Sequence, residues 1–385
     1  MSAVRANNRM MHTIMIVDDN PTNLHILIRI LEGTGHRILV AKSGPAAIAI
    51  ARKQPPDLIL LDVQMPDMDG FEVLRLLKAD PTLRDVIVVF LSAHGDVTDK
   101  VAGLELGASD YITKPFQTEE VMARVSGHLH RRDLERQLRI SNELLARELR
   151  NAGEMQRTLL PTVMPVDERI TFSAYYRTSL QAGGDYYDVI PLGDGKFAVI
   201  VADVAGHGAG AAIVMAMIRT MIHAFPGSLD NPEEVLLTLN NHFTYLTRSG
   251  LFATAVYAVI DSATRRMRIS RAGHPTPLLL RRGACDLQWQ TEGTVPLFVE
   301  PLTSVPVVTH QLEPGDRLVF YTDGVTDVVN PEGTRFELNK LVKVLCRHLF
   351  IGAPEQLAML VSELEAFAVH YEPSDDVTLL LVALD

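Results

Sequence analysis

Carboxylates follow two of the short apolar runs in the first third of the chain. Asp18 and Asp19 come directly after Ile14–Val17, and Asp62 comes directly after Leu58–Leu61. If these runs are strands of a parallel sheet, their carboxyl ends share one edge, which is where such sheets bind ligands. Three acids at one edge repel each other, and Mg²⁺ fits there because it takes one or two carboxylates together with water and phosphate oxygens. We therefore predict a magnesium pocket in which Asp62 is a nucleophile toward phosphorus.

Two more polar residues follow later apolar runs. Ser92 comes after Val86–Leu91, and Lys114 comes after Tyr111–Thr113. At the same sheet edge they can hold phosphoryl oxygens by a hydrogen bond and an ion pair. The runs are apolar throughout and alternate with amphipathic stretches, a pattern typical of parallel strands buried on both faces with helices between them. Five such units predict a doubly wound, five-stranded parallel α/β domain.

These residues together resemble the receiver domain of bacterial response regulators. The resemblance covers about Thr13 to Leu129. It includes three further motifs, Met65–Pro66, Asp69–Gly70 and Tyr111-Ile-Thr-Lys114-Pro115. The resemblance implies that Asp62 accepts a phosphoryl group from a histidine kinase or a phosphotransfer protein.

The same resemblance implies roles for the residues around Asp62. The expected Mg²⁺ ligands are Asp19, Asp62 and the main-chain carbonyl of Gln64, with Asp18 in support. Ser92 and Tyr111 are expected to be the pair that changes conformation on phosphorylation. Lys114 is expected to bind the phosphoryl group, next to a cis peptide bond to Pro115.

A helical segment is predicted between the two ends of the chain. From about Gly127 to Leu160 glycine and proline are scarce, and apolar residues recur at 4-3 spacing, at Leu134, Leu138, Leu145, Ala152, Met155 and Leu159. Ser141 and Glu148 interrupt this seam, so the segment is either a solvated connecting helix or an imperfect coiled coil that joins two copies of the chain. Pro161 ends it, since proline cannot continue a helix interior. We expect a receiver at 12–129, a helical linker at 130–160 and a third segment at 161–385.

Four aspartates lie near predicted strands of the C-terminal segment. In this segment strand-like runs outnumber helical ones, a pattern that predicts an α+β domain with largely antiparallel sheets. Asp185 lies in Gly183–Asp188 after a presumed strand, Asp203 follows Phe197–Ala202, Asp323 follows Leu318–Thr322, and Asp375 precedes Val377–Ala383. A single aspartate followed by glycine is also ordinary turn chemistry. If the four converge, their repulsion requires divalent ions, and oxygen ligands favour Mg²⁺ or Mn²⁺ over zinc. Two such ions can activate water for attack on a phosphate ester. Spacing alone does not show that the aspartates converge.

The aspartate motifs resemble the metal-dependent Ser/Thr protein phosphatases, in their bacterial SpoIIE-type branch. The matching blocks are Gly183–Asp188, Asp203–Gly208, Tyr321-Thr322-Asp323-Gly324 and Ser374-Asp375-Asp376-Val377-Thr378. The resemblance runs from about Glu154 to the C-terminus. It implies two antiparallel sheets packed face to face and flanked by helices, and hydrolysis without a covalent enzyme intermediate. It also implies that two Mn²⁺ or Mg²⁺ ions are bound by Asp185, Asp203, Asp323, Asp375 and the Val204 carbonyl.

Other residues near these motifs have more than one interpretation. His207 is a candidate general acid, but the spacing differs from that in the eukaryotic relatives, and we favour a structural or supporting role. His274 has the right chemistry for a substrate contact, although a turn histidine is the simpler interpretation. Asp188 and Asp376 flank the metal-ligand positions and are candidates to support them.

A receiver joined by a helix to a phosphatase predicts a phosphatase controlled by phosphorylation. Glu154-Met155-Gln156 followed by Leu159-Leu160-Pro161 resembles the regulatory helix that enters SpoIIE-type domains. By the same resemblance, the expected substrate is a phosphoserine or phosphothreonine on a STAS-type anti-sigma-factor antagonist. A homodimer formed through the linker helix is expected.

Two alternatives belong to other functional classes. A phosphatase-like adaptor that binds a sigma factor or anti-sigma partner would not need the four aspartates, all of which are present here. A diguanylate cyclase is suggested by Gly183-Gly184-Asp185, but the following Tyr186-Tyr187 and the later aspartate motifs disfavour it.

The composition excludes several other classes. The chain has 36 Lys and Arg and 47 Asp and Glu, which gives a formal net charge of −11. This charge disfavours non-specific binding to nucleic acid or to anionic membranes. No apolar run approaches the roughly 18 residues of a membrane span. Met1 to His12 lacks the apolar core of a signal peptide. We expect a soluble, cytoplasmic protein.

Overall fold

A computed structural model describes residues 11–92, 103–179, 182–206, 208–244, 250–281, 292–369 and 375–385. The chain divides into two compact units, with the boundary between Glu143 and Leu144. His207, the candidate general acid, lies outside the described residues. No described helix is long and apolar enough to span a bilayer.

The N-terminal unit contains one parallel five-stranded sheet. Its strands are β1 (Thr13–Val17), β2 (Arg37–Ala41), β3 (Leu58–Asp62), β4 (Ile87–Ser92) and β5 (Asp110–Thr113). They lie in the order β2-β1-β3-β4-β5, and every pairing is parallel. All residues of β3 and β4 are buried, as expected for central strands covered on both faces.

Helices cover both faces of this sheet. They are α1 (Pro21–Leu31), α2 (Gly44–Lys53), α3 (Gly70–Ala79) and α4 (Thr118–Arg157). One apolar core joins the sheet to α2 and α3, and a second joins it to α1 and the start of α4. Asp69 caps α3 by accepting a hydrogen bond from the Glu72 N–H at 2.8 Å. The predicted doubly wound domain is confirmed.

The helix α4 is longer than the sequence pattern indicated. The composition predicts a helix that begins near Gly127, but the observed helix is 40 residues long and already begins at Thr118. Gly127 is accommodated within it because a single glycine costs only about 1 kcal/mol in a helix interior.

The C-terminal unit contains two antiparallel sheets. The strands within its described residues are β6 (Ile170–Arg177), β7 (Tyr186–Gly193), β8 (Lys196–Val204), β9 (Ala253–Asp261), β10 (Arg266–Ala272), β11 (Leu278–Leu280), β12 (Val308–Gln311), β13 (Arg317–Tyr321) and β14 (Val377–Leu384). One sheet has the order β12-β10-β9-β8-β7 and the other β11-β13-β14-β6. This arrangement confirms the α+β domain with two antiparallel sheets.

Alternating side chains place one core between the sheets and another outside the smaller sheet. Leu318 and Phe320 of β13 join the core that contains β7–β10, whereas Val319 and Tyr321 face the opposite side. The helices of this unit are α5 (Ala209–His223), α6 (Pro232–Phe243), α7 (Asp323–Thr326), α8 (Glu337–Arg347) and α9 (Ala353–Ala368). α5 and α6 pack on the core with the larger sheet, and α8 and α9 on the outer face of the smaller one.

Candidate functional sites

The predicted phosphate pocket lies at the carboxyl edge of the N-terminal sheet. Asp18 and Asp19 follow β1, Asp62 is the last residue of β3, and Ser92 is the last residue of β4. Lys114 follows β5. Because all five strands run in the same direction, residues up to about 100 positions apart meet at one edge.

Three carboxylates form the base of this pocket. Ligand atoms of Asp18, Asp19 and Asp62 all lie within 4.8 Å of one another. Asp18 is fully buried and accepts hydrogen bonds from the Asn20 N–H at 2.9 Å and from Asn23 Nδ2 at 2.9 and 3.1 Å. A compact set of oxygen donors fits Mg²⁺, which needs only one or two direct carboxylate ligands.

Lys114 joins the two buried carboxylates of this set. Its Nζ lies 3.0 Å from Asp18 Oδ2 and 2.7 Å from Asp62 Oδ2. Burial, together with the negative charge of Asp18, raises the pKa of Asp62, while Lys114 acts in the opposite direction. Asp62 is only 4% exposed, so the ammonium group balances a carboxylate that water solvates poorly.

The remaining predicted receiver residues surround Asp62. The Gln64 N–H donates to Asp62 Oδ1 at 3.4 Å. The Ser92 hydroxyl is buried and has no hydrogen-bond partner among the described residues, which leaves it available to a phosphoryl oxygen. The Arg124 guanidinium lies 5.7 Å from the centre of the Tyr111 ring, and the expected cis bond between Lys114 and Pro115 is confirmed.

Substitution of Asp62 tests the acceptor directly. We expect Asp62→Asn to abolish transfer from a small phosphoryl donor such as acetyl phosphate, because the amide is a poor nucleophile although it can still hydrogen-bond to Lys114. The measurement is the mass increase of one phosphoryl group on the intact chain. The exposed loop variant Asp67→Asn is the matched control and should be phosphorylated normally. Undiminished phosphorylation of Asp62→Asn would show that another residue is the acceptor.

The four C-terminal aspartates come from the ends of two adjacent strands in each sheet. Asp185 immediately precedes β7 and Asp203 lies near the end of β8, in the larger sheet. Asp323 follows β13 and opens α7, and Asp375 precedes β14, in the smaller sheet. Strand direction therefore places each pair at one end of its own sheet.

Hydrogen bonds across the sandwich bring the two pairs together. Asp185 Oδ2 accepts from the Thr322 hydroxyl at 2.8 Å and from the Thr378 hydroxyl at 2.5 Å. Thr378 lies in β14 of the smaller sheet, and Thr322 directly follows β13 of the same sheet. Asp185 and the two threonines are all buried. Neither threonine had been given a role from the sequence, although both lie inside the motifs that carried the resemblance.

The aspartates affect one another electrostatically. Burial and the charges of Asp323 and Asp375 raise the pKa of Asp203 to about 7. Burial and the charge of Asp203 raise the pKa of Asp185 well above its ordinary value, and burial with the charge of Asp375 raises the pKa of Asp323. Asp185 is buried and Asp203 half-buried, whereas Asp323 and Asp375 are exposed. The four carboxylates therefore lie near one another at an open end of the sandwich, where a cation would stabilise them.

The C-terminal carboxylates are less compact than those of the receiver. Among the described residues, only Asp18, Asp19 and Asp62 bring three acidic ligand atoms within 4.8 Å of one another. Oxygen-only donors fit hard divalent ions such as Mg²⁺ and Mn²⁺. The donor set therefore fits the predicted metals, with a wider spacing than in the receiver.

Glycines allow the loops of this site to approach each other closely. A Cβ on Gly184 would lie 2.5 Å from the Val204 carbonyl oxygen, which is one of the predicted metal ligands. A Cβ on Gly183 would lie 1.9 Å from Asp376 Oδ2, and one on Gly324 would lie 1.9 Å from the Asp376 carbonyl oxygen. Side chains at these positions would push apart the loops that carry the predicted metal ligands.

Asp376 and Asp188, the two flanking acids, have different roles. Asp376 is buried and accepts from the Gly184 N–H at 2.6 Å and from the Ser179 N–H at 2.9 Å, so it positions the loop that carries Asp185. Asp188 instead accepts from the Tyr186 hydroxyl at 2.8 Å and lies 2.7 Å from His223 Nε2 of α5. Asp188 therefore anchors α5 to β7.

A residue of α4 also holds this loop. Gln156 is 4% exposed, and its amide makes two hydrogen bonds to Gly183, one to the carbonyl at 2.6 Å and one from the N–H at 2.9 Å. Gln156 belongs to the predicted regulatory motif Glu154-Met155-Gln156, but its contact with Gly183 was not predicted. The last turn of α4 is therefore bonded to the main chain two residues before Asp185.

His274 is part of the fold in the turn after β10. It is 1% exposed, its Nδ1 lies 2.7 Å from the Thr254 hydroxyl, and the Arg271 guanidinium donates to its carbonyl at 2.7 Å. Burial lowers the pKa of His274 to about 3. A neutral buried ring agrees with the structural interpretation of this residue.

The low pKa of His274 predicts a pH dependence of stability. Between about pH 6.5, where the unfolded ring titrates, and about pH 3, only the unfolded state is protonated, so the contribution of His274 to stability decreases as the pH falls. The slope is roughly 1.4 kcal/mol per pH unit. Relative to wild type, His274→Asn should lose less stability on going from pH 7 to pH 5 in denaturant titrations. The exposed control His25→Asn should behave like wild type, and an equal slope for His274→Asn would contradict the assignment.

The strand order, the acidic pocket and the acidic end of the sandwich define two classes of domain, one of the receiver type and one of the protein phosphatase type. The family model for stage II sporulation protein E (SpoIIE) matches residues 193–385, half of the chain, and the response regulator receiver model matches residues 14–126. The chain therefore belongs to the SpoIIE family and carries an N-terminal receiver domain. Asp203, Asp323 and Asp375 lie inside the matched range, and Asp185 lies just before it.

Individual relatives match one or the other of these two domains. Protein PilH of Pseudomonas aeruginosa is 38% identical over 119 residues, which are 31% of this chain and 98% of PilH. Response regulator PleD of Caulobacter vibrioides is 43% identical over 135 residues, 35% of this chain but only 28% of PleD. The solved SiaA-PP2C domain of Pseudomonas aeruginosa has a TM-score of 0.56 and 20% identity, and the match covers 64% of this chain and 99% of that domain. This last likeness concerns the fold.

Proposed function

We propose that this chain is a response regulator whose phosphorylation at Asp62 controls a metal-dependent phosphoserine/phosphothreonine protein phosphatase. The observation that carries the proposal is the acidic space at one end of the C-terminal sandwich, where Asp185 is hydrogen-bonded to Thr378 of the opposite sheet and to Thr322, which directly follows a strand of that sheet. This contact supports a single site built from both sheets.

In the receiver, the side chains have separable tasks. Asp62 attacks the phosphorus of a phosphohistidine on a kinase or phosphotransfer protein, and the histidine side chain is the leaving group. Lys114 Nζ, 2.7 Å from Asp62 Oδ2, then pairs with the new phosphoryl oxygens, and the Ser92 hydroxyl donates to one of them. Mg²⁺ held by Asp18, Asp19, Asp62 and the Gln64 carbonyl would neutralise charge during the transfer.

In the phosphatase, the acidic side chains hold the reaction centre. Asp185, Asp203, Asp323, Asp375 and the Val204 carbonyl are the proposed ligands of two Mn²⁺ or Mg²⁺ ions. Such ions would lower the pKa of a water molecule and offset the charge of the leaving oxygen. Thr322 and Thr378 fix the carboxylate of Asp185, and Asp376 fixes the loop before it.

The route of control that we propose runs through α4. This helix begins at Thr118, four residues after Lys114, and Gln156 near its end holds Gly183 by two hydrogen bonds. A shift of α4 that follows phosphorylation would break or restore these bonds and thereby move the loop of Asp185. In this proposal, the hydrogen bonds between Gln156 and Gly183 form in one position of α4 and not in the other, and this difference alone couples the helix to the loop of Asp185.

The proposed partners follow from the resemblance and from the surface of α4. The substrate would be a phosphorylated STAS-type anti-sigma-factor antagonist in the cytoplasm. Leu134, Leu138 and Leu145 are 51%, 63% and 59% exposed, which supports pairing of α4 with a second copy of the chain. No nucleic-acid or membrane partner is proposed for a chain with a formal net charge of −11.

One assay tests the proposed activity and its control. We expect release of phosphate from a phosphorylated antagonist to require Mn²⁺ or Mg²⁺, and to change when beryllofluoride, a phosphoryl mimic, occupies the receiver. Absence of activity in every wild-type sample with a verified substrate would favour the adaptor. Equal activity with and without the mimic would contradict control by the receiver but would still support the phosphatase activity.

The glycines of Gly183-Gly184-Asp185 are accounted for by close packing, so they give the diguanylate cyclase alternative no support.

A further inference from the structure

A basic cleft lies at the edge of the receiver sheet opposite Asp62. It has a volume of about 580 Å³ and is bordered by the starts of β3, β4 and β5, the loop after α3 and one face of α4. Its basic side chains are Lys78, Arg84, Arg131, Arg132, Arg136 and Arg139. Only Asp57, Asp85 and Glu135 oppose them, so the cleft has a formal charge of +3 in a chain of −11.

Three of the cations have internal roles in the fold. Arg132 Nη1 donates to the Asp57 carbonyl at 3.0 Å, which holds α4 against the start of β3. Lys78 Nζ donates to the Arg84 carbonyl at 2.8 Å, and so ties the loop to α3. Arg131 pairs with Glu135 one turn later on the helix, at 3.5 Å.

The other three cations are not used in this way. Arg84, Arg136 and Arg139 are exposed and form no ion pair within the described part of the chain. Arg132, Arg136 and Arg139 follow at spacings of four and three residues, so they line one helix face, where like charges destabilise a helix. Folding alone does not explain this arrangement, and a bound anion would.

We propose that the basic cleft binds a small molecule with several phosphate groups. The volume lies within the range of small-molecule sites. Three guanidinium groups on two walls of the cleft match phosphate oxygens, which arginine binds in a bidentate fork. The acids Asp57 and Asp85 on the same lining limit the excess charge, which favours a compact anion over an extended polyanion.

The lining also indicates which part of the ligand is recognised. Val86 and Ile87, the two apolar lining residues, are almost fully buried and offer little surface for a nucleobase. Phosphate groups would therefore supply most of the affinity, whether they belong to a nucleotide or to inorganic polyphosphate. A bound anion would connect the loop of Arg84 to Arg136 and Arg139 of α4.

The test is calorimetric titration of the full chain with inorganic tripolyphosphate, GTP and AMP at low salt without added Mg²⁺. We expect saturable binding of tripolyphosphate and GTP, and at least tenfold weaker binding of AMP. Arg84→Gln/Arg136→Gln/Arg139→Gln should weaken tripolyphosphate binding at least tenfold, about 1.4 kcal/mol. The control Arg29→Gln/Arg37→Gln/Arg75→Gln removes the same charge from exposed receiver sites and should bind within twofold of wild type.

The outcomes separate this cleft from other phosphate-binding sites of the chain. Equal affinity for GTP and tripolyphosphate supports recognition of phosphate alone, and tighter GTP binding supports the site with a contribution from the base. Hydrogen exchange between Arg131 and Arg139 should slow on tripolyphosphate binding in wild type and not in the cleft variant. Unchanged affinity in the cleft variant, an equal loss in the control variant, or no saturable binding would overturn the proposal.

Discussion

Asp203→Asn is expected to lower the turnover of the phosphatase about 100-fold or more. Asp203 lies near the end of β8, and the charges of Asp323 and Asp375 act on it directly. Asparagine has nearly the same shape but removes the negative charge that a hard divalent ion requires. The fold should therefore persist while metal binding and hydrolysis fail.

The measurement is Mn²⁺-dependent release of phosphate from a phosphorylated antagonist, together with direct titration of Mn²⁺. Asp194→Asn is the matched control, because Asp194 is an exposed turn residue with φ of 51°, a conformation that asparagine tolerates. The control should retain both activity and metal affinity. Wild-type turnover in Asp203→Asn would exclude Asp203 from the metal site.

Gln156→Met is expected to lower turnover by roughly tenfold or more and to remove the effect of the receiver. Methionine fills a similar volume but cannot bond to Gly183, whose N–H and carbonyl are then left without their present partners. Each unsatisfied buried group costs about 1–3 kcal/mol, enough to displace the loop that carries Asp185. The substitution tests the hydrogen bonds separately from the packing.

A merely structural role for Gln156 would not change regulation. The informative readout is therefore the ratio of activities with and without beryllofluoride, measured beside the Mn²⁺ concentration that gives half-maximal activity. Gln137→Ala, at an exposed position of the same helix, is the control and should keep the wild-type ratio. If Gln156→Met keeps both the ratio and the Mn²⁺ requirement of wild type, α4 does not act through Gly183.

The receiver was largely predictable because its signals are local. The apolar runs Ile14–Val17, Leu58–Leu61 and Val86–Leu91 are buried throughout and match strands of the sheet to within a residue, and each polar residue of interest follows such a short apolar run directly. Parallel topology then fixes the common edge without knowledge of any side-chain contact. The length of α4 was less predictable, since the change in composition near Gly127 marks the end of the receiver pattern and not the end of a helix.

The phosphatase site depends on contacts that a sequence does not display. Thr322 and Thr378 are 137 and 193 residues from Asp185, and nothing in their local pattern indicates a shared carboxylate. Gln156 lies in a segment with the pattern of a solvated helix and Gly183 in a glycine-rich turn, so neither pattern indicates the hydrogen bonds between them. The aspartates could be found from their motifs, whereas the groups that orient them required coordinates.

Gly183, Gly184 and Gly324 lie so close to neighbouring oxygen atoms that this packing restricts which substitutions the C-terminal unit tolerates. A single added methyl group at any of the three would meet an oxygen atom at 2.5 Å or less. In a saturation library selected for hydrolysis, these positions should accept almost no replacement, although none of the three carries a functional side chain. Their intolerance would look like that of reacting groups, and only the spatial arrangement distinguishes a steric requirement from participation in the chemistry.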